Sequence, residues 1–207
     1  MGTEPMMVLR TAPPSPFGRK VRIGAALIGL DDRISLENTD VRAPDPAFFQ
    51  ENPVGKLPVL VLADGTSLYD SRVILEYFDH LAGGGRLIPA APAERFAALK
   101  LQALADAITE ASLAQIYEVR YRPEARRHAE WIRWHEGKVA RALDSLEVAP
   151  PPRPEVADVG GIALACALGY LDLRFDGRWR RDHPQLLGWH DAFAAAVPAY
   201  EATSPLD

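Results

Sequence analysis

Asp70 and Ser71 stand together at the start of an apolar periodic stretch in this 207-residue sequence. A helix beginning there points its unpaired backbone N–H groups, with the Ser71 hydroxyl, at whatever approaches its end. That combination suits a carboxylate, and the Asp70 side chain suits an ammonium group on the same ligand. Either residue also serves as a plain helix N-cap with no ligand at all. Ser15 offers a second hydroxyl, placed to cap a helix whose first residue is Pro16. A third feature is Asn52-Pro-Val-Gly-Lys-Leu-Pro58, which leads into the strand-like Pro58-Val-Leu-Val-Leu62. Read alone, Pro58 opens a strand, a common place for proline.

Other chemistry-bearing residues point to structure. Cys166 is the only cysteine, so no disulfide framework or cysteine metal site forms within one chain. It lies in the apolar run Ile162–Leu168 and reads as a buried structural thiol. His128 and His135 lie seven positions apart, as do His183 and His190. Two helical turns separate each pair by about 10 Å, too far to chelate one ion. No metal is expected, and these histidines read as solvated or interface residues. Gly83-Gly-Gly85 lacks the Lys-Ser/Thr of a phosphate loop, and no Gly-x-Ser-x-Gly elbow occurs. Trp131, Trp134, Trp179 and Trp189 read as core or interface residues.

The elements that must hold Ser15, Pro58 and Ser71 follow from patterning. Met7–Arg10 is a strand, and the helix from Ser15 turns Val21, Ala25, Leu27 and Ile28 inward and ends near Gly29. A strand at Ile34–Glu37 and a short polar helix at Asp45–Gln50 come next. Pro58–Leu62 and Ser67–Tyr69 flank Asp64-Gly65 as a hairpin. Ser71–Leu81 has helical spacing. The order is βαβαββα, a mixed sheet flanked by helices, over residues 1–82. Residues 83–92 form a Gly/Pro-rich linker. Residues 93–207 carry only helical patterns, at 93–121, 123–146, 156–173 and 184–196, and Pro150–Pro154 makes a stiff extended connection.

Apolar residues make up 48% and charged residues 25%, ordinary for a chain that buries a core. A net charge of -5 argues against general nucleic-acid binding. The basic stretches Arg120–Arg133 and Arg174–Arg181 read as solvated helix faces. No signal peptide or membrane-length apolar run is evident, and a reducing cytoplasm suits the lone thiol.

The Asn-Pro-Val-Gly-Lys-Leu-Pro run, the Asp70-Ser71 pair and Ser15-Pro-Phe-Gly-Arg-Lys-Val-Arg22 together resemble the cytosolic glutathione S-transferases. The last resembles the Ser-Pro-Phe-x-x-Arg-x-Arg stretch of plant tau-class and many bacterial members. The resemblance implies a thioredoxin-like α/β domain followed by an all-α domain. It implies that Pro58 is cis and that the Leu57 backbone pairs with the cysteinyl amide of glutathione. Asp70 and Ser71 then hold the γ-glutamyl end, and Lys56 reaches the glycyl carboxylate. Ser15 is the implied catalytic hydroxyl, donating to the glutathione sulfur. Theta- and zeta-type members place theirs three residues earlier, where this chain has Ala12, so Ser15, Thr11 or neither remain open. Phe17, Asp106, Glu110 and Tyr117 are the implied electrophile-pocket residues. Asp158 is implied to be a folding residue, in a capping box that Glu155 departs from. The implied activity is detoxifying conjugation of glutathione, the co-substrate, to a small hydrophobic electrophile by a homodimer. Its helix after Ser71 and first long C-terminal helix form the dimer interface. Glutathione-dependent isomerisation, reduction or dehalogenation, and a non-enzymatic binding or regulatory role, are the alternatives.

Overall fold

The computed structural model describes residues 6–152 and 157–205. Strand β1 (Met7–Thr11) alternates buried and half-buried positions, the period expected where one sheet face packs inward. Helix α1 (Pro16–Leu27), β2 (Ile34–Asn38), α2 (Phe48–Glu51), β3 (Val59–Val61), β4 (Ser67–Leu68) and α3 (Ser71–Leu81) follow. This is the βαβαββα order the sequence predicts. The sheet runs β2-β1-β3-β4, with β1 and β2 parallel and β3 antiparallel to both β1 and β4. Leu9 and Leu60, paired across β1 and β3, share one sheet face and Val59 lies on the other; all three are buried, as are Met7, Val21, Ile23, Ile74, Leu75 and Phe78. Leu27 and Ile28, expected to point inward, are only half-buried, while Ile23 is fully enclosed.

Polar side chains brace this first unit. The Arg10 guanidinium donates to Glu51 of α2 and, at 2.6 Å, to Glu37 of β2. The Glu51 contact, outweighing burial, helps hold the guanidinium above its ordinary pKa. Arg19 is buried on α1 and donates to the Tyr200 carbonyl at 2.6 Å and the Thr203 hydroxyl at 3.3 Å, with its guanidinium 3.9 Å from the Tyr200 ring centroid. The C-terminal segment is thereby fastened to α1. Contacts accordingly divide the chain into one compact unit reaching Arg95 and taking in Ala199–Pro205, and another spanning Phe96–Pro198. Two consecutive halves do not anticipate that return.

The second unit is helical: α4 (Pro92–Tyr121, its first turn in the other unit), α5 (Ala129–Val148), α6 (Val159–Phe175), α7 (Trp179–Asp182) and α8 (Pro184–Ala196). A short α9 (Pro198–Ala202) leads into the fastened segment. No strand occurs there among the described residues. The helix expected from Pro123 instead starts at Ala129, after a turn at Glu124–Arg126. The break has a cause. Arg127 donates to the carbonyls of Val119 and Arg122, and the His128 N–H donates to Glu118 at 2.9 Å, so side chains satisfy the end of α4 and extended His128 caps α5. Asp158 caps α6, accepting from the Gly161 N–H at 2.9 Å, as expected for a folding residue. The Glu155 part of that motif and the end of Pro150–Pro154 lie outside the described residues. Helix α6 is buried all round from Val159 to Leu171, with Cys166 enclosed.

The histidine expectation needs correction: His135, His183 and His190 are all buried. His183 bonds the Trp179 carbonyl at 2.9 Å and Asp144 at 3.2 Å, a structural cross-tie. Trp179 and Trp189 are core residues, whereas Trp131 and Trp134 are exposed.

The Gly/Pro-rich linker is tightly organised. Asp79, near the end of α3, accepts from the N–H groups of Arg86, Leu87 and Ile88 through Oδ1 and from Gly85 through Oδ2, at 2.7–3.2 Å. Burial would raise the carboxyl pKa, and these donors more than cancel it, leaving it below the ordinary value. Removing the group orphans several buried N–H donors. Asp79→Ala is expected to cost about 2–3 kcal/mol in urea unfolding, and Asp79→Asn less, because its carbonyl can still serve the three Oδ1 donors. The depressed folded pKa makes this contribution present above the usual carboxylate range and lost as pH falls through it. The wild type–Ala gap should therefore shrink below about pH 4.

Candidate functional site

Strand register brings three turns to one end of the sheet. Val59 pairs with Arg10, so Pro58 lies beside Thr11 and the turn leading to α1. Leu60 pairs with Leu68 in the antiparallel β3–β4 ladder, so the chain leaving β4 toward Asp70 runs back toward Pro58. Ser15, Leu57–Pro58 and Asp70–Ser71 thus occupy the same edge of one unit.

At the first turn, the Ser15 N–H donates to the Ala12 carbonyl, and the Ser15 Oγ accepts from the Gly18 N–H at 3.1 Å. The residue is the N-cap of α1. That bond uses a lone pair of the hydroxyl and leaves its proton to be donated elsewhere. The cap and a hydrogen bond toward a ligand are therefore compatible. Thr11 is placed differently. It is buried, and its Oγ1 has no hydrogen-bond partner among the described residues. It faces Gly18 so closely that a Cβ there would stand 1.9 Å from the hydroxyl. Phe17 is half-buried, with the Lys20 ammonium 5.5 Å from its ring centroid.

At the second turn the Leu57–Pro58 bond is cis, as the sequence motif predicts. Asn52, which sequence reasoning quoted only as part of a motif, organises this loop. Its buried carboxamide donates to the Lys56 carbonyl at 2.8 Å and accepts from the Val54 N–H at 3.1 Å. Its own carbonyl accepts from the Gly55 N–H at 2.8 Å, where Gly55 takes a φ of 66°. Lys56 is exposed, and the half-buried Leu57 has no hydrogen bond to its N–H or C=O among the described residues. Asn-Pro just after a short helix was the available signal, since asparagine favours such self-closing turns.

At the third turn, Asp70 is the N-cap of α3, accepting from the Arg72 N–H at 2.9 Å through Oδ1. Ser71 is buried at the first position of the helix. The remaining pocket candidates sit on α4 of the helical unit: Asp106 is buried, while Glu110 and Tyr117 are exposed. Among the described residues no group of His, Cys, Asp or Glu is arranged to hold a metal, and no helix is long and apolar enough to cross a membrane.

A mixed four-stranded sheet with a cis proline opening β3 and a capped helix after β4 defines a thioredoxin-like domain, here followed by a helical unit. The chain belongs to the glutathione S-transferase family. The family model for the N-terminal domain of glutathione S-transferase matches residues 14–81. The uncharacterised GST-like protein YibF of Escherichia coli K12 is 34% identical over 84% of this chain and 86% of its own. A glutathione transferase family member from Pseudomonas fluorescens Pf-5, crystallised with bound glutathione, is 40% identical with a TM-score of 0.90, over 96% of this chain and 98% of that one. A further structure from the same organism, at 38% identity, a TM-score of 0.85 and coverage of 96% and 99%, holds S-(propanoic acid)-glutathione.

The contact between Thr11 and Gly18 sets a test of this framework. Gly18→Ala forces a methyl into the Thr11 hydroxyl and is expected to lower stability by about 1–3 kcal/mol. Thr11→Ala in the same chain should recover much of that loss, since it removes both the obstruction and the unpartnered hydroxyl. Urea midpoints of the two single variants and the double variant check this.

Proposed function

We propose that this protein is a glutathione S-transferase that joins the glutathione sulfur to a small hydrophobic electrophile. The observation that carries the reading is the convergence, at one sheet end, of a hydroxyl with an uncommitted proton, an unpaired backbone segment and a helix N-terminus. The Leu57 N–H and C=O take the cysteinyl amide as an added strand would. The start of α3 and the Ser71 hydroxyl take the γ-glutamyl carboxylate. The second Asp70 oxygen takes the adjacent ammonium, and Lys56 the glycyl carboxylate.

Ser15 then donates its proton to the sulfur while the Gly18 N–H polarises the same oxygen. That hydrogen bond and the N-terminal field of α1 favour the thiolate, drawing the pKa of a thiol from about 8.5 toward neutrality. The thiol proton leaves to solvent. A sulfur lone pair forms the new C–S bond as the leaving group departs with its electron pair, or as an activated double bond takes up a proton. The bound S-(propanoic acid)-glutathione of the Pseudomonas relative is a thioether, the product class of such a transfer, and supports conjugation over thiol–disulfide exchange. A serine in place of a cysteine at position 15 supports the same choice.

Ser15→Ala is expected to lower kcat/KM for glutathione and an activated aryl halide by about 10²-fold and to weaken the thiolate absorbance of bound glutathione. Unchanged values in both would overturn the role given to Ser15. Ser71→Ala should raise the KM for glutathione with less effect on kcat.

The active form is proposed to be a cytoplasmic homodimer. Val73 and Leu81 are exposed on α3 with half-buried Tyr77 between them, an apolar stripe that supports self-association. A Val73→Glu and Leu81→Glu double variant is expected to sediment as a monomer at concentrations where the wild type sediments as a dimer.

A further inference from the structure

The helical unit holds a cavity on a side of α4 that the transferase reading leaves unused. Asp106, Glu110 and Tyr117 follow one face of α4 at helical spacing. Gln115 lies half a turn around the helix from them. There it lines an open cavity of about 350 Å³, whose other walls come from α5, α6 and α7 with its flanks. That volume falls in the range of small-molecule sites, about 300–1,000 Å³. The floor is apolar: Leu143 of α5, Leu171 of α6 and Trp179 of α7 are all buried. Half-buried Val139 and Phe175 stand beside them.

Acceptors without donors converge on this apolar space. Gln115 is only 6% exposed. Its carboxamide donates to the Ala111 carbonyl one turn back, at 3.2 Å, which leaves the amide oxygen without a partner among the described residues. A buried acceptor ordinarily meets a donor. Glu136 of α5 and Asp182 of α7 add two exposed carboxylates to the lining. Glu136 makes no ion pair among the described residues. Asp182 meets its neighbour Arg181 at 3.3 Å, with both groups largely in solvent, a pairing that contributes little. Positive charge on the lining is otherwise engaged. Arg178 turns 76% of its side chain to solvent and lies 3.5 Å from Asp176, and His183 is held by Trp179 and Asp144.

We propose that this cavity binds a small organic ammonium compound with a flat aromatic body. The body covers the Leu143, Leu171 and Phe175 side chains, while the ammonium N–H groups reach Glu136 and Asp182 in charge-assisted bonds. An N–H on the body, as in an indole, supplies the donor that the Gln115 oxygen lacks. An organic anion would meet two carboxylates, and a neutral hydrocarbon would leave every acceptor unused. Binding here needs no turnover, so the site stands or falls apart from the transferase reading.

The test is calorimetric titration of the full chain with tryptamine and with tryptophol, its neutral hydroxyl counterpart. The amine should bind at least about tenfold more tightly than the alcohol. A Glu136→Gln and Asp182→Asn double variant, at exposed positions, should shrink that preference to about threefold or less with the thermal midpoint preserved. A Glu124→Gln and Glu130→Gln double variant removes the same charge outside the cavity and should leave the preference intact. 1-Methyltryptamine, which lacks the ring N–H, should bind about fivefold more weakly than tryptamine, and equal binding would overturn the role given to Gln115. Equal affinity for amine and alcohol, binding by neither, or a preference that survives the first double variant or is lost in the second would each overturn the site. Nα-acetyl-lysine amide binding as tightly as tryptamine would overturn the assignment to a flat-bodied amine. Displacement of tryptamine by S-hexylglutathione would move it to the transferase pocket and overturn the separate site.

Discussion

One buried carboxamide holds the loop that carries Leu57 and the cis Pro58. Asn52 donates to the Lys56 carbonyl and accepts from the Val54 N–H, closing the chain on itself just before Leu57 and Pro58. These local bonds satisfy the loop's own polar groups and leave the Leu57 N–H and C=O out of them. The same residue receives the end of α2, whose Glu51 is tied to Arg10 of β1 and, through its carbonyl, to the Ser67 hydroxyl of β4. Loop, short helix and sheet therefore form one braced piece.

The Ser15 turn follows a related economy of groups. Capping the helix uses a lone pair of the Ser15 oxygen, so the donation to a thiolate proposed for it would use the proton on the other side. The capping N–H occupies an acceptor site of the oxygen and leaves the proton available for donation. Thr11, one strand residue before the turn, has a hydroxyl of the same kind in an enclosed place against Gly18. Burial distinguishes the two hydroxyls.

Much of this was legible in the residues. The βαβαββα order followed from period and turn chemistry, and the cis proline and capped α3 from motifs whose spacing constrains a single sheet edge. Less visible was whatever depends on contacts across the sequence. Asp79 reads as an ordinary acid on a helix until the linker's four N–H groups are seen to converge on it. His135, His183 and His190 carry no pattern that separates a buried ring from a solvated one; His183, for one, meets Asp144 39 positions away. The start of α5 was misjudged for a similar reason. Helix propensity continues through Pro123–His128, but Arg127 and Glu118 take the backbone bonds that would have extended it.

The fastening of Arg19 to Tyr200 and Thr203 joins residues separated by 181 and 184 positions. On a ribosome, α1 emerges early, yet the segment that covers Arg19 is made only after every helix of the other unit. Until then the Arg19 cation has no cover, and the first unit waits with an unfinished flank. Contacts of such long separation form late and slow a fold's completion. The nascent chain thus carries, through most of its synthesis, a sheet domain whose last piece has yet to arrive.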